Sequence, residues 1–464
     1  MKRRGFKPTT RTYQTMFAGL SRIEDWHGYS KQLTNAHALY DHFLRHLESL
    51  KKSDPHSPDL IITPLASYIK ILGDAGDYQR IFDVYYALDQ KSALSPNHFI
   101  YTAMFRALSE RRGQTREGRP TVHAQNASDA RLLWRQMLKA SERPPGFPID
   151  SHIVSPAIIA LSCGQKADQD FALDIAREYL GLTKPTEATV EGKIALTPQA
   201  LESVLSLCNH MRDYRLCLHF FKQVRRRPET LGGPSVIDRG HVEEVLKAQA
   251  AIATLGSLEE PHHSLQTLEW MLKQEVTGSN GPRIRPAIST YNLVLLACWR
   301  GGDWLSAVRA FEIMTGYSAN DFEDSRHRSR DPTVQQRSKG RNLAPDMETM
   351  SYMVRTALAA RNSAYIRQSL RMVNHVGLDH LLGSSSNHNP QKDISRKRAK
   401  TTTFYQIKLA SAITEAIEYI TSGGQTTTDG DLWKVLRTRA GQVLREGKFV
   451  GAVHRPTASI GSES

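Results

Sequence analysis

Four polar side chains occupy the same position in four similar segments of the chain, and their groups could donate and accept hydrogen bonds. They are Gln14, Thr102, Asn292 and Ser351, each six residues after a proline and directly after a large side chain. Amide and hydroxyl groups offer both donors and acceptors at neutral pH. Each of these side chains can therefore offer hydrogen bonds to a ligand.

The residues around these positions form four aligned segments that each begin at a proline. Proline cannot continue the preceding helix, and a short polar residue after it can cap the next one. We expect the large side chain to pack between helices while its polar neighbour points out of the core. The segments are Pro8-Thr-Thr-Arg-Thr-Tyr-Gln14, Pro96-Asn-His-Phe-Ile-Tyr-Thr102, Pro286-Ala-Ile-Ser-Thr-Tyr-Asn292 and Pro345-Asp-Met-Glu-Thr-Met-Ser351.

The elements that carry these segments are predicted helices in pairs. In the clearest copy a first helix covers residues 286–302 and ends at two glycines, and a second covers Asp303–Met314 with an apolar stripe. Weaker copies occur elsewhere. A single pair would leave an apolar face in water, so we predict an all-α fold in which antiparallel pairs stack as a right-handed α-solenoid.

The sequence pattern predicts four segments along the chain. Residues 1–382 form a helical-repeat array of about eight pairs, with loops at 111–126 and 320–342. Residues 383–401 form a basic flexible linker, residues 402–446 a C-terminal helical cap, and residues 447–464 a disordered tail.

Composition favours a polyanionic partner. The 464 residues include 61 Lys+Arg and 47 Asp+Glu, a net charge of +14. Nucleic acid is the first partner that this balance suggests and an anionic membrane surface the second, although basic loops alone would also account for it. The longest apolar runs fall short of the roughly 18 residues of a membrane span.

The sequence carries no familiar catalytic signature. It has no phosphate-binding Gly-x-x-x-x-Gly-Lys-Ser/Thr, no Gly-x-Ser-x-Gly and no His-Glu-x-x-His. We expect His262 and His263 to begin a helix rather than to bind a metal ion. Asp429 and Asp431 are too few carboxylates to form a nuclease centre. The four cysteines lack metal-ligand spacing. We therefore expect no enzyme activity, no metal and no cofactor.

Residues 286–314, with their Pro-x-x-x-Thr-Tyr-Asn start and Ala-x-x-x-Phe-x-x-Met second helix, resemble the pentatricopeptide repeat family, especially its degenerate fungal and animal mitochondrial members. The resemblance implies a solenoid whose first helices bind single-stranded RNA, one base per repeat. It makes Gln14, Thr102, Asn292 and Ser351 the base-facing candidates. Asp346 becomes the second specificity residue of the Asn292 repeat, and an Asn/Asp combination resembles one that favours uridine. The equivalent Val154 and Val204 cannot read a base.

Binding to RNA also needs cations near phosphates. The phosphate-contact candidates are Arg11, Arg106, Arg285 and Arg355. Affinity that comes from such contacts should fall steeply with salt.

The resemblance further implies a location and a role. We expect a monomer in the mitochondrial matrix that binds a transcript or rRNA and acts in transcript stability, processing or translation. The alternative is a protein–protein scaffold, for example a component associated with the mitochondrial ribosome. Residues 1–8 resemble the end of a repeat, so we expect a truncated N-terminus, and no transit peptide is seen.

Overall fold

The computed structural model is all-α in the part of the chain that it describes. That part comprises residues 8–89, 94–111, 118–144, 146–278, 280–324, 332–336, 341–378, 381, 394–422 and 429–452. Within it lie 18 α-helices and no β-strand, with an isolated bridge between Tyr317 and Val334. The predicted all-α fold of stacked helix pairs is confirmed.

The helices divide between two compact units, residues 1–236 and residues 237–464. In the first unit the pairs are α1 (Thr10–Leu20) with α2 (Ser30–Ser53), α3 (Thr63–Ala75) with α4 (Tyr78–Tyr86), α5 (His98–Glu110) with α6 (Arg119–Ser141), α7 (Ser151–Ser162) with α8 (Lys166–Leu180), and α9 (Pro198–Met211) with α10 (Tyr214–Arg225).

The second unit contains four pairs in its described residues. They are α11 (Arg239–Thr254) with α12 (Glu260–Thr277), α13 (Ile288–Gly301) with α14 (Trp304–Thr315), α15 (Met347–Ala359) with α16 (Ser363–Val376), and α17 (Ile394–Ser422) with α18 (Gly430–Ala452). Short 3-10 turns at Gly281–Ile284 and Ala319–Phe322 connect some of them.

The residue after each leading proline caps the following first helix. Thr9, Asn97, Ala287 and Asp346 hold the N-cap positions of α1, α5, α13 and α15. Ala287 has no side-chain acceptor, and its own backbone N–H donates to Thr290 Oγ1 at 3.1 Å. The predicted side-chain cap is therefore confirmed for Asn97 and Asp346, which accept from Ile100 N and Thr349 N, and it is wrong for Ala287, which has no polar side chain.

Three turns from a first helix to its second helix share one local design. Gly76, Arg212 and Gly302 take left-handed backbone conformations, with φ of 81°, 60° and 68°. Each is followed by an aspartate whose carboxylate caps the second helix by accepting from a backbone N–H three residues on. The turn fixes how the two helices of a pair fold back on each other.

Stacking runs mainly through the first helices. In the first unit α1, α3, α5, α7 and α9 contact one another in succession, and in the second unit α11, α13, α15 and α17 do the same. The large residues of the four aligned segments, Tyr13, Tyr101, Tyr291 and Met350, are all buried between helices, as predicted. The polar positions beside them therefore lie in the layer of first helices.

The predicted loop at 111–126 is wrong from Arg119 onward, because α6 begins there. Buried Ala127, Ala130 and Leu133 give this stretch a helical apolar face, and Asn126 donates to the carbonyl of Arg111 at 3.1 Å. The first turns of α6 are mostly polar and therefore resemble a loop in the sequence, whereas the apolar face that packs in the core begins only at Ala127.

Other predicted irregular segments are also partly helical. The prediction of a linker at 383–401 is wrong from Ile394, where α17 begins, and the predicted tail is helical as far as Ala452. Residues 382–393 and 453–464, and parts of the predicted loop at 320–342, lie outside the described residues. Among the helices described, none is long and apolar enough to cross a bilayer.

Candidate nucleic-acid interface

The four base-facing candidates all lie on first helices but differ in exposure. Gln14 on α1 is exposed and Thr102 on α5 is half-buried. Asn292 on α13 is 4% exposed and Ser351 on α15 is 2% exposed. The expectation that the polar neighbour points out of the core is therefore wrong for Asn292 and Ser351. The reason is that α15 packs on α13 and α17 packs on α15.

Asn292 and Asp346 lie together although they are 54 residues apart in the chain. The Asn292 Nδ2 donates to Asp346 Oδ1 at 3.3 Å, and Thr349 Oγ1 lies 2.7 Å from Asn292 Oδ1. The same hydroxyl lies 2.9 Å from Asp346 Oδ1, so its single proton serves one acceptor at a time. The N-cap geometry of Asp346, whose carboxylate accepts from Thr349 N at 2.8 Å, holds the pair in place.

An aromatic and cationic group that sequence reasoning missed lies about two helical turns from this pair, on the same two helices. We call Trp299, Arg300, Tyr352 and Arg355 the Trp299 cluster. The rings of Trp299 and Tyr352 are stacked with centroids 5.8 Å apart. The guanidinium carbons of Arg300 and Arg355 lie 4.4 Å and 5.3 Å from the Trp299 ring centroid. Aromatic faces with arginines beside them can stack bases and attract phosphates.

The Trp299 cluster is anchored on one side by a carboxylate. The hydroxyls of Tyr352 and Tyr405 donate to Glu348 Oε1 at 3.0 Å and 2.6 Å. Burial raises the pKa of the Tyr352 phenol far above its usual value and raises the pKa of Tyr405 to about 12. Both phenols are therefore protonated donors at neutral pH, and Glu348 holds the hydroxyl of Tyr352 while its ring stacks on Trp299.

The four phosphate-contact candidates fall into two groups. Arg11 and Arg106 are exposed on α1 and α5, and no carboxylate pairs with them among the described residues. Arg355 is half-buried, donates to the carbonyl of Lys408 at 3.3 Å, and has its pKa lowered by burial. Arg285 is already paired with a carboxylate, because its Nε donates to Glu275 Oε1 at 2.6 Å.

The position of Arg285 has a physical reason. The carboxylate of Glu275 is 3% exposed, and Arg341 also approaches it at 3.4 Å. A buried carboxylate without a cation would be strongly destabilising. Arg285 therefore neutralises Glu275 and contributes little free charge toward a phosphate. Val154 and Val204, predicted to be unable to read a base, are fully buried.

Residues that had been considered for catalysis take part in structural contacts. His262 Nε2 accepts a hydrogen bond from Gln266 Nε2 at 3.0 Å in the first turns of α12. Asp429 lies 2.7 Å from Arg371 Nη2 and joins the turn before α18 to α16. In the part of the chain that the structure describes, no three His, Cys, Asp or Glu side chains are grouped to hold a metal ion.

Comparison with known proteins gives a distant likeness in structure alone. No family model matches this sequence, and no curated protein matches it. The crystal structure of the pentatricopeptide repeat protein PPR10 from maize aligns with 13% identity and a TM-score of 0.39, and the alignment covers 97% of this chain and 55% of that one. This chain thus spans about half the length of that protein.

Two further structures are of PPR10 in complex with an 18-nt psaJ RNA element. Each aligns with 13% identity and a TM-score of 0.29, covering 98% of this chain and 72% of that one.

Proposed function

We propose that this chain binds single-stranded RNA along its first helices and serves as an adaptor rather than an enzyme. The observation that carries the proposal is the Asn292–Asp346 pair, which lies about two helical turns from the Trp299 cluster along the same two neighbouring helices, α13 and α15. The pair offers base-edge hydrogen bonding, and the cluster offers stacking and positive charge.

The chemistry of the Asn292–Asp346 pair favours uridine. A uracil edge presents an N–H donor between two carbonyl acceptors. The Asp346 carboxylate can accept from that N–H while the Asn292 carboxamide donates to a carbonyl. Because Asn292 is 4% exposed in the free chain, base contact requires its side chain to leave Thr349 and turn outward. Cytosine, which has an acceptor at the central ring nitrogen, would face the carboxylate unfavourably.

The Trp299 cluster supplies affinity that is independent of base identity. Stacking of a base on an aromatic side chain contributes about 1–3 kcal/mol. Arg300 is exposed and can reach a phosphate, whereas Arg355 is held against α17 and acts mainly through the ring. Sequence preference and general affinity thus come from different residues of one interface.

We extend the proposal to a location and a process. The resemblance of residues 286–314 to mitochondrial pentatricopeptide repeats supports action on a mitochondrial transcript or rRNA, in stability, processing or translation, by a monomer in the matrix. Association with the mitochondrial ribosome is compatible with the same interface. Sequencing of the RNA recovered with the tagged chain from isolated mitochondria would test this extension.

Fluorescence anisotropy with ten-nucleotide oligouridine, oligocytidine and oligoadenosine tests the RNA-binding proposal. We expect tightest binding of oligouridine, and about 5-fold to 150-fold weaker binding by Trp299→Ala. Arg300→Ala should lower the slope of log affinity against log salt by about 0.7, the value for one phosphate contact on a single strand.

The control is Lys273→Ala, which removes an exposed cation from the second helix α12 and should leave the salt slope unchanged. Equal effects of Lys273→Ala and Arg300→Ala would contradict binding along the first helices. Absence of RNA binding at low salt would reject the proposal and favour the protein–protein scaffold.

A further inference from the structure

A cavity of about 840 Å³ lies in the first unit, away from the first helices. Its walls are α10, the residues that follow α10 as far as Leu231, and the connection between α8 and α9. No residue of α9 or any other first helix lines it. The cavity is therefore separate from the RNA interface proposed above, and nothing in that proposal gives it a role.

The connection that covers the cavity is a built wall. The backbone N–H groups of Lys193 and Ile194 donate to the carbonyls of Glu178 and Tyr179 at 3.3 Å and 3.0 Å. Gly192 lies so close to α8 that a Cβ on it would be 2.6 Å from the Tyr179 carbonyl oxygen. Gln223 on α10 completes the wall by accepting from Thr183 N at 3.3 Å. The wall is thus held in place by contacts with α8 and α10.

The α10 side of the cavity is strongly cationic. The helix Tyr214–Arg225 contains no acidic residue. His219, Lys222 and Arg226 follow one another at helical spacing and all line the cavity. Lys222 and Arg226 are exposed, and no carboxylate pairs with either among the described residues.

The opposite wall adds charge of the same sign. Lys184 lines the cavity without an ion pair in the described part of the chain. Two acidic residues, Glu187 and Glu191, also line it, but Glu187 is engaged by the backbone N–H of Lys184 at 3.2 Å and lies 3.9 Å from Arg177. The cavity keeps an excess of positive charge.

Arg227 adds a further, half-buried cation to the lining of the cavity. Its guanidinium donates to the carbonyl of Leu180 at 3.0 Å and to that of Gly181, and it has no carboxylate partner among the described residues. Burial lowers the pKa of Arg227 because the charged form loses water. Two carbonyl oxygens accept hydrogen bonds from the guanidinium but do not neutralise its charge, which an anion would do.

We propose that this cavity binds a phosphate-bearing ligand of nucleotide size, with Lys222 and Arg226 as its main contacts and Lys184 and Arg227 closing the site. The volume lies within the range of small-molecule sites, about 300–1,000 Å³. Arginine and lysine together are the side chains best suited to phosphate. The phosphate could belong to a free nucleotide or to an RNA strand.

The test is isothermal titration of the full chain with pyrophosphate, with ATP and with a 5′-phosphorylated RNA decamer, all at one ionic strength. We expect the double variant Lys222→Ala/Arg226→Ala to bind at least 10-fold more weakly. The matched control is Arg215→Ala, an exposed arginine of α10 outside the cavity, which should change affinity less than 2-fold. Arg226→Lys, which keeps the charge, should retain most of the binding.

The arms of the experiment separate the two sources of phosphate. Binding of pyrophosphate or ATP assigns the cavity to a free nucleotide, and variant-sensitive binding of the RNA alone assigns it to a strand. Absence of binding by all three probes at millimolar concentration would overturn the proposal. So would equal affinity of the double variant and the unmodified chain. Since Trp299→Ala leaves this cavity intact, failure here and failure of the RNA proposal are distinguishable.

Discussion

The substitution Asn292→Asp tests the most informative contact of the candidate interface. It changes one –NH2 to oxygen with almost no change of volume, at a site 4% exposed and 3.3 Å from Asp346 Oδ1. The two carboxylates would then repel each other across the distance that the hydrogen bond now spans. We expect the second unit to lose stability at neutral pH and to regain it in acid.

The loss in the free energy of unfolding can be estimated for two charge states of the pair. Two unit charges 3.3 Å apart repel by about 5 kcal/mol at an effective dielectric constant of about 20. Retaining one proton on the pair at pH 7, three units above an ordinary carboxyl pKa of about 4, costs about 4 kcal/mol. The pair will take the cheaper state, so the free energy of unfolding should fall by up to about 4 kcal/mol at pH 7.

The pH dependence gives the sign of the effect. The folded variant binds a proton that the unfolded chain has released, so its stability should fall by about 1.4 kcal/mol for each unit of rising pH between about 5 and 7. Urea unfolding at pH 5, 6 and 7, followed by circular dichroism, measures it. The control is Gln14→Glu, which adds the same charge at the equivalent but exposed position and should show no such slope. A loss for Asn292→Asp that is equal at pH 5 and pH 7 would refute the adjacency of Asn292 and Asp346.

Further predictions concern turns and ion pairs. Arg212→Gly should stabilise the chain by about 0.5–1 kcal/mol in urea unfolding because it relieves a φ of 60°, whereas Gly302→Ala should destabilise it by about 1 kcal/mol. Arg371→Leu should cost about 3 kcal/mol, because a guanidinium 3% exposed lies 2.6 Å from Asp324 and 2.7 Å from Asp429. A hydrogen bond from Arg367 holds the pKa of Asp324 below its usual value, so its stabilisation is present above about pH 3.9 and is lost as pH falls further. The difference in Tm between the unmodified chain and Asp324→Asn should therefore narrow from pH 7 to pH 3; a constant difference would show that Asp324 stabilises without its charge.

Local signals allowed much of the fold to be predicted. The left-handed turn at Gly302 followed by the cap Asp303, and the cap Asp346 after Pro345, depend on residues within one or two turns of each other. Such features can be read from residue type alone. The start of α6 at Arg119 could not, because its helical apolar face lies beyond a polar first turn and is completed by packing against α7.

The candidate interface was predicted less completely. The sequence identified Asn292 and Asp346, but their burial depends on how closely α15 packs on α13. The stacking of Trp299 on Tyr352 joins residues of different repeats, and no local pattern announces it. Similarly, the cationic face of α10 is visible in the sequence, whereas the cavity requires the connection after α8 to fold over it.

The most direct test of RNA binding along the first helices is ultraviolet crosslinking of a randomised single-stranded RNA to the full chain, with mass spectrometry of the crosslinked peptides. Aromatic side chains that stack on bases crosslink efficiently. We predict crosslinks at Trp299 and Tyr352, which disappear above about 0.5 M salt as phosphate contacts weaken. Crosslinks confined to second helices, or no crosslinked peptide at low salt, would contradict RNA binding along the first helices.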